Sequence, residues 1–385
     1  MAFLAGGPRS WLRGCTRFAV ASRLPLGVWS ATTAIVLAAA AYARHNPFAS
    51  GIWVHSDSKL YLAQVERGVH LYRCPAAPAT EWCGNSGWFP GYPWLIDALH
   101  AAGAPPAGTG VALSWLFGAA TLVLLWWTFL RRQRTYSGIV ALVYAAVAPG
   151  IAFRYGVYPL SMLGFFTVAC LWLVARERIV LAGLAGAAAM CSYPVALALV
   201  PASAVWLLAP RAGLALARRF RDVVVACGLI VCGLALVLGT QWIEVGRPDA
   251  YFLVQDKYDH TLREPFAPIH NALRALHRTS ELALRDVPHV ETLVLSFTLG
   301  AVLVVLLARG GRNPGEDGLI AVWAVTAWLL TSVPADLSHY REDAVLLPLA
   351  PLLRRLPRPL SAAIVLAVAC LVVPMTILYV RGRLP

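Results

Sequence analysis

DVVVACGLIVCGLALVLGTQW, residues 222–242, carries one charged side chain, Asp222, in 21 positions and is apolar on every face. A helix of that length rises about 30 Å, the thickness of a bilayer's hydrocarbon core. Runs of the same kind recur outward in both directions, near 25–43, 110–130, 137–153, 158–175, 179–193 and 194–209 before it, and 289–308, 318–334, 343–353 and 360–380 after it. The chain therefore reads as one all-α polytopic membrane domain, 1–385, with about 11 transmembrane helices. Composition agrees, since 59% of the 385 residues are apolar and 13% charged, against about 25% charged in soluble domains. The first run is expected to stay as a span, because no small-residue cleavage site follows a short apolar region.

The formal net charge of +13, from 32 basic and 19 acidic residues, would raise nucleic-acid binding in a soluble protein. Mapped onto alternating spans it marks topology instead. Arg9, Arg13, Arg17 and Arg23 precede the first run with no acid among them, which puts the N-terminus in the cytoplasm. Counting from there, the inner segments hold 18 basic residues, including Arg131, Arg132, Arg218, Arg219 and Arg221, against four acids. The whole excess is then cytoplasmic, and nucleic acid drops out as a partner.

Two outer segments are long, 44–109 and 243–288, and both are rich in Trp, Tyr, His, Pro and acids. Loops of this length are usually functional, so chemistry is expected on the outer face. Cys74 and Cys83 share the first of them. They would pair in an oxidising compartment and remain two thiols otherwise. No ligand spacing for a metal and no glycine-rich nucleotide motif is present, which removes a zinc cluster and ATP- or GTP-driven work. LAGLAGAAAM (181–190) supplies the small residues that let membrane helices approach closely.

The first outer segment opens with WVHSDSKLYLAQVERG (53–68). Asp57 follows His55 and Ser56, and either caps a helix starting at Ser58 or Lys59 or acts at the membrane surface. Lys59 to Arg67 reads as a short amphipathic helix on the membrane, ended by Gly68. GWFPGYPWLIDALH (87–100) follows, with Pro90 and Pro93 predicting a rigid turn about Gly91 and Tyr92, then a surface helix anchored by Trp94.

These segments resemble the PIG-V-like mannosyltransferases of the GT-C superfamily, integral membrane enzymes that use polyprenyl-phosphate sugars. Asp57, Tyr61-Leu62, Glu66 and Gly68 keep the family spacing without a gap, and Trp88-Phe89-Pro90-Gly91-Tyr92-Pro93 matches its aromatic-proline motif. In YFLVQDKYDHTLREPFAPIH (251–270), Gln255, Tyr258, Arg263 and Pro265 follow the family's late loop. Tyr340-Arg341 in SHYREDAVLLPLAPLL (338–353) inverts its Arg-Tyr pair. Departures are Ser56 in place of Trp, Ala63-Gln64 in place of Ile-Ala, and Tyr158-Pro159-Leu160-Ser161 in place of Ser-Glu.

The resemblance implies a GT-C bundle, bearing short amphipathic helices in two outer loops, that transfers mannose with inversion from a polyprenyl-phosphate donor to a lipid-linked, glycolipid or lipoglycan acceptor. Such a reaction needs a base for the acceptor hydroxyl and cations for the departing phosphate. Asp57 is the expected base and His55 its orienting neighbour. Arg341, Lys257, Arg263 and Arg154 are the expected phosphate contacts, and Gln255 and His260 the sugar or phosphate contacts. Trp88, Phe89, Pro90, Tyr92 and Pro93 frame the site. His270, His277 and His289 are expected to be surface histidines. A divalent cation between Asp57 and a second acid fits this chemistry, although no residue pattern demands one. The membrane expected is a bacterial plasma membrane with the active face outward, the ER being the alternative. Competing readings are a transporter or flippase of a lipid-linked intermediate, which predicts ionisable residues inside the spans, and a non-catalytic subunit of a glycosylation complex.

Overall fold

A computed structural model describes residues 8–75, 81–210, 214–258, 264–278, 283–308, 315–333, 341 and 343–384, with residues 8–17 as backbone. Its helices run α1 (Pro8–Tyr42), α2 (Ser58–Arg67), α3 (Gly91–His100), α4 (Pro106–Trp127), α5 (Tyr136–Val147), α6 (Ile151–Tyr155), α7 (Leu160–Ala175), α8 (Ile179–Ser192), α9 (Leu199–Leu208), α10 (Leu216–Val245), α11 (Ala250–Asp256), α12 (Ala267–His277), α13 (Val287–Ala308), α14 (Gly315–Ser332) and α15 (Arg358–Val380). Strands β1 (Leu71–Arg73) and β2 (Trp82–Gly84) form an antiparallel hairpin between α2 and α3, with Tyr72 opposite Cys83.

Among the described residues, five helical stretches are long and apolar enough to cross a membrane: Phe18–Tyr42 in α1, then α4, α10, Leu284–Ala308 around α13, and α15. Only 28% to 56% of each is covered by protein, and side chains such as Leu116, Val304, Leu307 and Leu366 stand exposed. Apolar helices with exposed leucines on their outer faces are solvated by lipid. The chain is an all-α membrane protein.

The expected eleven spans are not reproduced one for one. Residues 137–153 break into α5 and α6, because Pro149 disfavours a helical Ala148 and Gly150 turns the chain at φ 71°. The stretch 343–353 lies in a 13-residue 3-10 helix, Asp343–Arg355, in which Pro348 and Pro351 cannot donate i→i−4 bonds. It is buried from Asp343 to Leu353 and forms the middle of the bundle. The expected boundary between the runs 179–193 and 194–209 does fall at Tyr193-Pro194, where α8 ends and a short 3-10 turn leads into α9. At 12, 16 and 14 residues, α5, α7 and α8 rise about 18–24 Å, less than a hydrocarbon core. The small-residue stripe of α8 does bring a neighbour close, since a methyl on Gly183 would stand 2.6 Å from Leu229 Cβ of α10.

One end of the bundle is held by aromatic side chains from distant helices. Trp29 of α1 stacks on Tyr155 of α6 with centroids 5.0 Å apart, and Trp53 packs edge-on against Trp115 of α4 and face-on against Tyr379 of α15. Trp53 is 1% exposed, and its carbonyl accepts from Tyr379 Oη at 3.0 Å and from Val157 N at 3.0 Å. These bonds fix the chain four residues ahead of Asp57.

Candidate functional site

From the fixed Trp53 the chain turns through Ser56, whose φ of 47° lies in the left-handed region that few serines occupy. Strain of that kind persists only where surrounding contacts over-determine the backbone. Here Tyr158 Oη donates to the His55 carbonyl at 2.9 Å, and the Asp57 carbonyl starts α2 by accepting from Leu60 N and Tyr61 N. Asp57 occupies the N-cap position, yet its carboxylate makes no capping hydrogen bond. It pairs instead with the Arg341 guanidinium, 284 residues later in the chain. The two side chains are 22% and 17% exposed. The alternative of a plain helix cap is therefore incorrect, and the first outer segment meets the late Arg341.

Arg341 is brought there by α13. Glu291, 1% exposed, accepts the Gly150 amide at 3.0 Å, and Thr292 Oγ1 donates to Asp343 Oδ2 at 3.4 Å. A Cβ at Gly150 would come 2.6 Å from the Ala344 amide, so the turn after α5 lies against the backbone three residues past Arg341. Neither Glu291 nor Thr292 stands out in sequence, because an acid two residues into an apolar run reads as a loop residue.

The aromatic-proline motif is a buried wall. Residues 84–93 are all buried, and buried backbone carbonyls need partners. Three glutamines supply them to four consecutive residues. Gln64 Nε2 of α2 donates to the Asn85 and Trp88 carbonyls at 2.8 and 2.9 Å, Gln241 Nε2 of α10 to Ser86 at 2.8 Å, and Gln255 Nε2 of α11 to Gly87 at 2.7 Å. Gln241 Oε1 also accepts from Tyr251 N at 3.0 Å, joining α10 to α11. Gln64 and Gln241 were not among the expected residues. The available signal was an amide on the apolar face of α2 and another in the last two turns of an apolar span.

Pro90, Gly91, Tyr92 and Pro93 do not form a free-standing turn; Pro90 caps α3, and Gly91 is its first residue. A side chain at Gly91 would stand 2.6 Å from the Cys191 carbonyl, so glycine lets α3 close on α8. Tyr92 is fully buried, with Oη 2.5 Å from the Gly110 carbonyl and 2.8 Å from Ser114 Oγ. The α2 helix does not simply lie on a lipid surface, since Ser58, Tyr61, Ala63 and Gln64 are buried and Tyr61 meets Tyr92 and Tyr158 edge to face.

The late outer segment reaches the same place. Tyr258 packs edge-on to Trp88 at 6.5 Å. Its phenol is pushed up by burial and by the negative charge of Asp57, and pulled down by Arg341, so it lies within electrostatic reach of that pair. Lys257 Nζ is 4.8 Å from the Tyr258 ring and 3.9 Å from Cys83 Sγ, and burial lowers its pKa. Cys83 is disulfide-bonded to Cys74, with Cα atoms 5.1 Å apart. His55 stands edge-on to Tyr379 at 5.2 Å, its Nε2 is buried without a hydrogen-bond partner, and burial lowers its pKa.

Arg154, another expected phosphate contact, is a buried side chain. It is 1% exposed, donates to the Ala145 carbonyl at 2.9 Å and lies 5.8 Å from the Trp29 ring. Carried on the five-residue α6 between α5 and α7, it points into the bundle core, where Tyr155 and Tyr158 are also buried. His260 and Arg263 lie outside the described residues. His270 is exposed and pairs with Glu264 at 2.8 Å. Among the described residues no three His, Cys, Asp or Glu side chains gather as metal ligands, and the side chain that meets Asp57 is a guanidinium rather than a second acid.

Asp57, Arg341, Tyr258, His55 and the buried wall at residues 84–93 thus meet at one end of the bundle, with a proton acceptor, a cation and aromatic faces together. The sequence matches no protein-family model, and no curated protein sequence matches it.

Proposed function

We propose that the chain is an inverting glycosyltransferase of the GT-C type, acting on the non-cytoplasmic face of a bacterial plasma membrane. The observation that carries this reading is the pairing of Asp57 with Arg341 beside Tyr258. The donor is a polyprenyl-phosphate sugar, mannose by the motif resemblance, and the acceptor is a glycolipid or lipoglycan hydroxyl. The acceptor oxygen attacks the anomeric carbon as the bond from that carbon to the phosphate oxygen breaks. Its proton goes to the Asp57 carboxylate, and polyprenyl phosphate leaves with the bonding electrons. Arg341 neutralises the departing phosphate, which a guanidinium can hold through two oxygens. For that it exchanges a carboxylate partner for a phosphate one, both within its reach. His55 and Tyr258 line the acceptor side, and no step requires a metal ion.

The orientation rests on two supports. Arginine-rich short segments mark the cytoplasmic side, and the Cys74–Cys83 disulfide belongs in an oxidising compartment. The reading is tested by supplying radiolabelled polyprenyl-phosphate mannose to membranes that contain or lack the protein. A labelled lipid product is expected with wild type, and is expected to fall at least 100-fold with Asp57→Asn, the scale of general-base loss. Equal labelling by Asp57→Asn and wild type at equal membrane levels would remove the assigned base.

Glu291 favours a second reading, since a buried carboxylate inside a span is what a flippase of a lipid-linked intermediate would contain. Movement of a labelled lipid between leaflets in vesicles, with no new covalent product, would select it.

A further inference from the structure

We propose that the groove along α12 binds the anionic headgroup of a membrane phospholipid. The helix packs Pro268 and Ala272 inward, against α13, and turns a mixed face outward. His270, Arg274, His277 and Arg278 fall at i, i+4, i+7 and i+8, one stripe of the helix surface. Phe266 and Leu273 stand 56% and 51% exposed beside that stripe. An open groove of about 690 Å³ is lined by Leu273, Arg274, Leu276, His277 and Arg278.

Among the described residues the charge of this groove is not balanced locally. Glu264 is taken up by His270 near the helix start, and among the described residues neither Arg274 nor Arg278 has an ion-pair partner. Two guanidiniums one helical turn apart can share a phosphodiester, each through its fork of donors. Leu273, Leu276 and Phe266 then meet the glycerol and the first methylenes of the acyl chains, as on an interfacial amphipathic helix. A free phosphate would use the arginines and leave the leucines uncovered, so a lipid fits the whole lining.

The site does not depend on the transfer reaction and is tested without it. The purified full chain in detergent is titrated with phosphatidylglycerol and with phosphatidylcholine, binding being read by native mass spectrometry. Two arginines at an anionic headgroup predict roughly a 30-fold preference for phosphatidylglycerol, lost in Arg274→Ala/Arg278→Ala and kept in Arg285→Ala, which alters an exposed arginine outside the groove. Wild type is also titrated in half-molar salt, where the preference should fall to a few-fold; this arm decides the matter if the double variant does not fold. Equal binding of the two lipids by wild type, a preference that survives the double substitution, or displacement of the lipid by millimolar inorganic phosphate would each overturn the proposal.

Discussion

Replacing Gln64 by Leu removes two hydrogen bonds from a buried wall while nearly conserving volume. Gln64 is 7% exposed, and its Nε2 holds the carbonyls of Asn85 and Trp88. Asn85 keeps a second donor, the Trp88 amide at 3.2 Å, so its loss is an ordinary net hydrogen bond of about 1 kcal/mol. The Trp88 carbonyl is left without its glutamine donor in a buried segment, costing about 2–3 kcal/mol. Some of this returns, because Gln64 Oε1 is itself buried without a partner and Leu removes that acceptor, a gain of about 1 kcal/mol. The net expectation is a loss of about 2–3 kcal/mol, or roughly 2–4 °C in apparent melting temperature for a chain of this size. Tryptophan fluorescence during a thermal ramp in detergent reads it directly, since Trp88 lies in the wall. Gln64→Glu should be worse than Gln64→Leu, because a carboxylate would face two carbonyl oxygens with no proton to give. If Gln64→Leu melts with the wild type, or Gln64→Glu is no worse than Gln64→Leu, the clasp does not stabilise the loop.

Three further outcomes follow from the same contacts. Burial holds the His55 pKa below 6.5, so the unfolded chain takes up that proton first; stability from His55 is whole above 6.5 and declines as pH falls through 6.5 toward the folded value. The melting temperature should therefore drop more for wild type than for His55→Gln between about pH 7.5 and about pH 5.5. Gly91→Ala puts a methyl 2.6 Å from the Cys191 carbonyl, and overpacking of that kind costs about 1–3 kcal/mol, read as a lower melting temperature and faster proteolysis between α3 and α4. Cys74→Ser/Cys83→Ser opens a loop of sequence separation 9, worth about 2.6 kcal/mol in chain entropy; intact protein should bind a maleimide at these positions only after reduction.

Much of the architecture was legible because hydrophobic burial in a membrane is a local property. A run such as 222–242 needs no partner to declare itself, and it lies within α10. The start of α2 at Ser58 and its end at Gly68, φ 73°, were equally local, set by a turn and a left-handed residue. The expected runs are interrupted at Pro149-Gly150, where proline and glycine act together, and at Pro348 and Pro351, where proline acts alone. There the helix breaks, and the exposed backbone is satisfied inside the bundle, which hydropathy does not register.

The site divides along the same line. Sequence alone determined that Asp57 follows the first apolar run and directly precedes a short helix ended by Gly68, because both facts depend on neighbouring residues. Only the tertiary structure decided that Asp57 faces Arg341 rather than capping α2, that Arg154 is buried in the bundle core, and that Gln64, Gln241 and Gln255 hold one loop. A hydrogen bond or an ion pair is made by whichever groups the packing of distant helices brings within about 3 Å, and separations of 284 residues leave no trace in local composition.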